Sequence, residues 1–217
     1  MLLIDSADPD EVRIARDSGL TTGVTMNPTL VARAAPRAPL DVLRSVLDQQ
    51  PGRVFYQPTA ADVGAAEDEV SKAIELGAGS LVVKLPAGAG FTGLIRRLAQ
   101  DGIPVAMTAV YAPSQAIVAA SSRCQWVIPY VNRAARLMPD EPPVVISLAA
   151  VLPGGEPPWI LAASVKSPRE AADAVRQGAH AVTAPLSVLR EMIAHPLSDT
   201  AIEEFNAATR KAAAGSP

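Results

Sequence analysis

Cysteine is nearly absent from this sequence, with Cys124 the single one in 217 residues. One thiol excludes an intrachain disulfide framework, and no zinc-binding cluster is visible. Cys124 itself reads as a small core or rim residue. Aromatic residues make up only 4%, too few for an aromatic-rich sandwich. No apolar run reaches the ~18 residues that a membrane helix needs. The amino terminus carries no basic stretch ahead of a hydrophobic one, so no signal peptide is expected and the expected compartment is the cytoplasm. A strong charge of one sign is also missing: the net charge is -3 and the pI about 5.4. Such a balance supports neither a nucleic-acid partner nor an anionic membrane surface. It leaves room for a small anionic ligand, which needs only a local arginine or two.

Apolar residues are plentiful. They account for 49% of the chain against 19% charged, enough to fill a core and too many for disorder. Abundant alanine and valine suit close packing of helices on a sheet. The length fits a single α/β domain spanning residues 1–217.

One stretch stands out: Ser80-Leu81-Val82-Val83-Lys84-Leu85-Pro86. The continuous apolar run Leu81-Val82-Val83 suits a strand buried on both faces, as in a parallel sheet. Lys84 falls at its carboxyl end, and Pro86 stops the ladder. Burying an ammonium without a partner is costly. Desolvation lowers a lysine's pKa, and a neutral amine can attack a carbonyl to form a Schiff base. The plainer alternative is a lysine that reaches the rim or pairs with a carboxylate.

Strands are expected at residues 1–4 (ending at Asp5), 22–25, 53–57, 80–86, 103–108, 125–130, 159–163 and 181–184. Helices are expected between them. The first illustrates the signals: Asp8 caps, Pro9 fits the first turn, Asp10 and Glu11 suit the positive end, and Gly19 stops it. Residues 132–143 are broken by Leu137-Met138-Pro139 and Glu141-Pro142-Pro143, and read as a loop before a helix at 144–152. Ala87-Gly88-Ala89-Gly90 lacks both the Walker lysine and the dinucleotide fingerprint, and reads as a turn. Closing helices are expected at 186–193 and about 200–213, split by His195-Pro196.

Eight strands alternating with helices imply a parallel sheet, and eight such units close into a (β/α)8 TIM barrel with an extra C-terminal helix. A doubly wound open sheet competes, but its glycine fingerprint is absent after the first strand. Polar residues recur at one place in the unit. Asp5, Asn27, Gln57, Lys84, Thr108, Tyr130 and Ser164 each lie at or just after the carboxyl end of a different expected strand. Each has an ordinary reading as a cap, turn or rim residue. In a closed barrel, however, those ends meet at one mouth, where barrel enzymes build their sites.

Several motifs carry a family resemblance: Leu3-Ile4-Asp5-Ser6, Gly23-Val24-Thr25-Met26-Asn27-Pro28-Thr29, Phe55-Tyr56-Gln57, Val82-Val83-Lys84-Leu85-Pro86, Thr108-Ala109-Val110-Tyr111, Pro129-Tyr130-Val131-Asn132-Arg133 and Ala162-Ala163-Ser164-Val165-Lys166. In order and spacing the chain resembles the small single-barrel transaldolase family, and within it the fructose-6-phosphate aldolase-like branch. The resemblance implies Schiff-base aldol chemistry on sugar phosphates or small hydroxyketones, without metal or organic cofactor. It makes Lys84 the nucleophile and Asp5 the group that orients or deprotonates a sugar hydroxyl. Gln57, Thr108 and Tyr130 would hold a proton-shuttling water, and Asn27 and Ser164 would bind donor hydroxyls. Arg133 would bind phosphate, with Lys166 and Arg169 as further candidates.

Transferase members tend to carry Glu at the position of Gln57 and Phe at that of Tyr130, so this pair resembles the aldolase pattern. A transaldolase, and a non-catalytic sugar-phosphate-binding or scaffold member, are the alternatives. The resemblance also implies a homo-oligomer, ring-shaped, with Ile202, Phe205 and Ala208 on a helix that packs on a neighbour or folds back on its own barrel. Three departures stand out: Met26 where the family usually has Thr, Pro58 after Gln57, and Ala134-Ala135-Arg136-Leu137-Met138-Pro139 in place of a Gly-rich turn. His180 and His195 match no catalytic role and read as structural.

Overall fold

The computed structural model describes residues 1–77 and 79–214, with side chains through Lys211. Strands β1 (Leu2–Asp5), β2 (Gly23–Thr25), β3 (Arg53–Tyr56), β4 (Leu81–Pro86), β5 (Val105–Val110), β6 (Trp126–Pro129), β7 (Trp159–Ala162) and β8 (Ala181–Ala184) pair in parallel and in sequence order. Pairing of β8 back to β1, through Leu3 and Thr183 among others, closes the barrel. The connecting helices are α1 (Pro9–Asp17), α2 (Pro28–Ala32), α3 (Pro39–Leu47), α4 (Val63–Leu76), α5 (Thr92–Gln100), α6 (Pro113–Ser121), α7 (Val131–Leu137), α8 (Val144–Ala149), α9 (Pro168–Arg176), α10 (Leu186–Ile193) and α11 (Pro196–Ala214).

Strand alternation divides the core in two. Outward residues such as Ile4, Val24, Val54, Val83, Met107 and Val182 join the helices in one cluster. Inward residues Leu3, Phe55, Val82, Ala106, Trp126, Ile128, Leu161 and Ala181 fill the barrel. Phe55 and Trp126 meet edge to face at 5.6 Å, a favoured aromatic geometry. Gly23 is required on β2 beside the inward Leu3: a Cβ there would lie 2.4 Å from the Arg53 carbonyl oxygen of β3 and 3.2 Å from the Leu3 side chain.

The loop expected after Asn132 is corrected. Residues Val131–Leu137 form α7. Ala134, Ala135, Arg136 and Leu137 are good helix formers, and the prolines that follow limit only its end. Strand β5 runs two residues beyond Thr108 through a bulge. Helix α8 ends at Ala149, and α11 begins at Pro196 rather than near residue 200. The 87–90 segment is a turn that leads into a single 3-10 turn at Ala89–Phe91. Leu197, Ile202 and Phe205 stay exposed on α11, so these apolar side chains do not fold back onto the barrel. Among the described residues no helix is long and apolar enough to cross a membrane.

Candidate active site

Inward parity carries the site. In β4, Val82 fills the barrel, so Lys84, two residues on, points inward at the mouth. The same step takes Leu3 to Asp5, Phe55 to Gln57, Ala106 to Thr108, Ile128 to Tyr130 and Ala181 to Thr183. The carboxyl-end layer is therefore polar where the layers beneath it are apolar.

Lys84 is 2% exposed. Its Nζ donates to the Met26 carbonyl oxygen at 2.9 Å and forms no salt bridge among those of the described residues. Burial pulls its pKa from 10.5 down to about 8, and the nearby Asp5 carboxylate acts in the opposite direction. The amine is thus ready to lose its proton near neutrality. Asp5 is held from one side, its Oδ1 accepting from Thr25 Oγ1 at 2.8 Å. Thr25 Oγ1 in turn lies 2.7 Å from Thr183 Oγ1.

Across the mouth, Thr108 Oγ1 donates to the Tyr130 hydroxyl at 3.4 Å. Burial raises the Tyr130 phenol, keeping it protonated as a donor. Its ring sits between Tyr111, at 6.1 Å, and the Arg133 guanidinium, at 5.0 Å. Gln57 Oε1 is buried with no hydrogen-bond partner. An unmet acceptor is costly, so this oxygen suits a ligand hydroxyl or a water.

At two places near the mouth the backbone leaves the extended region. Ala109, at φ 56°, shifts the register after Thr108, and Ser164, at φ 63°, turns between Ala163 and Val165. Without that turn Ser164 would follow parity outward; instead Ala163 and Ser164 both line the cavity while Val165 is buried in the outer core. Left-handed non-glycine residues store strain and cluster at functional sites. Asn27 caps α2, its Oδ1 accepting from Leu30 N at 3.1 Å, which leaves its Nδ2 to donate.

The cavity has a volume of about 850 Å³. It gathers Asp5, Asn27, Gln57, Lys84, Tyr130, Arg133, Ser164 and Lys166. Glu170 ties the segments that carry Arg133 and Lys166: it accepts from Asn132 Nδ2, next to Arg133, at 2.7 Å and from the backbone Lys166 N at 2.8 Å. Arg169 is a different case. It does not line the cavity, and its exposed side chain lies 3.7 Å from Asp173 on the next turn of α9, because two residues past the Ser167 cap, about half a helical turn, carry it to the outer face. Met26 is fully buried in the outer core; the backbone, not the side chain, meets Lys84. Strand β3 ends at Tyr56, so Pro58 lies outside the ladder.

Sequence reasoning missed Thr25 and Thr183, which inward parity brings into one layer only once β8 closes on β1, and Arg33 and Arg37, which line the cavity from the segment after α2. Both histidines serve structure. His180 Nδ1 accepts from Ile160 N at 3.1 Å, and His195 Nδ1 accepts from Leu197 N at 3.2 Å. Among the described residues no cluster of His, Cys, Asp and Glu has the geometry to hold a metal ion.

Comparison with known proteins gives a consistent result. Proteins named "Probable transaldolase" from Hydrogenobaculum sp. (strain Y04AAS1) and Symbiobacterium thermophilum are each 32% identical to this chain, over 203 and 205 residues. The matches cover 93% and 94% of both partners, respectively. A third of the same name, from Coprothermobacter proteolyticus, is 31% identical over 203 residues. Among solved structures, a cube-shaped protein cage designed by fusing symmetric oligomeric domains superposes with TM-score 0.62 at 13% identity, over 98% of this chain and 77% of its own. That likeness speaks to the fold alone. The family described as Transaldolase/Fructose-6-phosphate aldolase matches residues 2–215, and with a match running almost end to end, the chain belongs to the transaldolase/fructose-6-phosphate aldolase family.

Proposed function

We propose that the protein is a class I aldolase, using a Schiff-base lysine to cleave or form a carbon–carbon bond in a ketose phosphate or small hydroxyketone. The observation that carries this reading is Lys84: a buried amine, brought to a pKa of about 8, inside a polar cavity with Asp5. The amine attacks the ketose C2 carbonyl and water leaves, giving a protonated imine. Asp5 takes the proton of the C4 hydroxyl. The C3–C4 bond breaks, its electron pair moves into the imine to form an enamine, and C4 departs as an aldehyde. Protonation at C3 and hydrolysis of the imine release dihydroxyacetone and restore the amine. Gln57, Thr108 and Tyr130 hold the water that moves protons in these steps. Asn27 and Ser164 bind donor hydroxyls, while Arg133 and Lys166 take the phosphate.

The names of the curated relatives favour a second reading, transaldolase, in which the enamine passes to an aldehyde acceptor. Gln57 and Tyr130 favour the aldolase, since a neutral amide and a phenol suit a water that completes release. Borohydride reduction in the presence of dihydroxyacetone tests the chemistry: mass spectrometry should find the adduct on wild type and none on Lys84→Ala. An unlabelled wild type would leave only a non-catalytic sugar-phosphate binder. Free dihydroxyacetone formed from fructose 6-phosphate without an acceptor supports the aldolase; dependence on an added aldehyde supports transfer. The exposed Leu197, Ile202 and Phe205 of α11 support a homo-oligomer in which this helix packs on a neighbouring copy.

A further inference from the structure

We infer that Thr183 is a positioning residue that acts through Thr25 to aim Asp5, and that it matters for carbon–carbon cleavage but not for imine formation. The inference rests on the Schiff-base reading of Lys84 and extends it to the far side of the barrel. Thr25 and Thr183 are 1% exposed, on strands that flank β1 on opposite sides. Thr25 Oγ1 is 2.8 Å from Asp5 Oδ1 and 2.7 Å from Thr183 Oγ1.

The direction of this chain follows from counting protons. A hydroxyl has one hydrogen and two acceptor positions, and an ionised carboxylate only accepts. Thr25 must therefore give its single hydrogen to Asp5. The contact with Thr183 then has one possible polarity, Thr183 donating to Thr25. Hydrogen bonds linked in this way polarise one another, most strongly in a buried setting. Oδ1 is engaged by Thr25 and Asp5 lines the cavity, so Oδ2, which has no hydrogen bond among the described residues, is assigned as the oxygen that takes the substrate proton. Lys84 is held by another contact: its Nζ donates to the Met26 carbonyl at 2.9 Å, a bond in which the Thr183 hydroxyl takes no part. A valine at 183 keeps the shape of the inward layer but removes the donor that orients the Thr25 hydroxyl. A serine keeps the donor.

The test separates the two steps in wild type, Thr183→Val and Thr183→Ser. Borohydride trapping with dihydroxyacetone reads imine formation, and cleavage of fructose 6-phosphate under saturating conditions reads the bond-breaking step. The expected result is trapping at the wild-type rate in all three proteins, with kcat for cleavage reduced about tenfold in Thr183→Val and restored in Thr183→Ser. Equal loss of trapping and cleavage in Thr183→Val would reveal a merely structural role and overturn the inference, as would cleavage at the wild-type rate. Failure to trap wild type overturns the Schiff-base reading first, and the inference with it.

Discussion

The barrel interior has two halves built on the same strands. Towards the amino ends of the strands it is dry and close-packed, with Leu3, Phe55, Val82, Trp126 and Leu161 in contact. Towards the carboxyl ends it is polar, with Asp5, Thr25, Lys84, Thr108, Thr183 and Tyr130 facing one another or the cavity. One step of two residues along each strand separates them. The lower half stabilises the fold through burial, whereas the upper half gives up burial energy to hold a charged or reactive group where water is scarce. In the proposed mechanism the apolar floor therefore has a part of its own: it supplies the low-dielectric surface that pulls the Lys84 amine towards neutrality.

The largest effect should come from exchanging one half's chemistry for the other's. Lys84→Met should abolish turnover and borohydride trapping, yet raise stability below pH 8 by up to about 3 kcal/mol, from a pKa lowered from 10.5 to about 8. The sign follows from proton binding. Between pH 8 and 10.5 the unfolded lysine holds more protons than the folded one, so wild-type stability rises with pH there and the variant's advantage fades. Denaturant midpoints at pH 7 and pH 10 check this; an advantage independent of pH would contradict the burial argument. In wild type, kcat/KM for the ketose should fall as pH drops below about 8, because protonation removes the nucleophile.

Breaking the floor is next in size. Phe55→Ala removes a fully buried ring and should cost about 3–5 kcal/mol of stability, measured by urea unfolding, while the polar layer above keeps its residues. Within the upper half, Tyr130→Phe should lower kcat about 10²-fold with little change in KM; steady-state kinetics with an unchanged kcat would remove the phenol from the mechanism. The smallest expected effect lies at the rim. Arg133→Gln should raise KM about tenfold for fructose 6-phosphate and leave dihydroxyacetone trapping as it was, since only the former carries a phosphate.

The alternation of apolar runs with amphipathic segments, punctuated by Pro and Gly, was enough to read the eight βα units and the direction of the sheet. The position of Lys84 at a strand end was legible for the same reason, because a period of two and a stop at Pro86 are local properties. Closure was not local. Pairing of Leu3 with Thr183 joins opposite ends of the chain, and until it is made Thr25 and Thr183 are two ordinary strand residues. The positive φ of Ser164, which returns it to the cavity against its parity, arises from tertiary packing and leaves no mark in residue type. The exposed placement of Arg169 was hidden likewise, since helix phase relative to the mouth depends on how α9 seats against the barrel. Residue spacing sets what each strand can present, but burial, strain and the meeting of side chains from different strands are sums over the whole molecule.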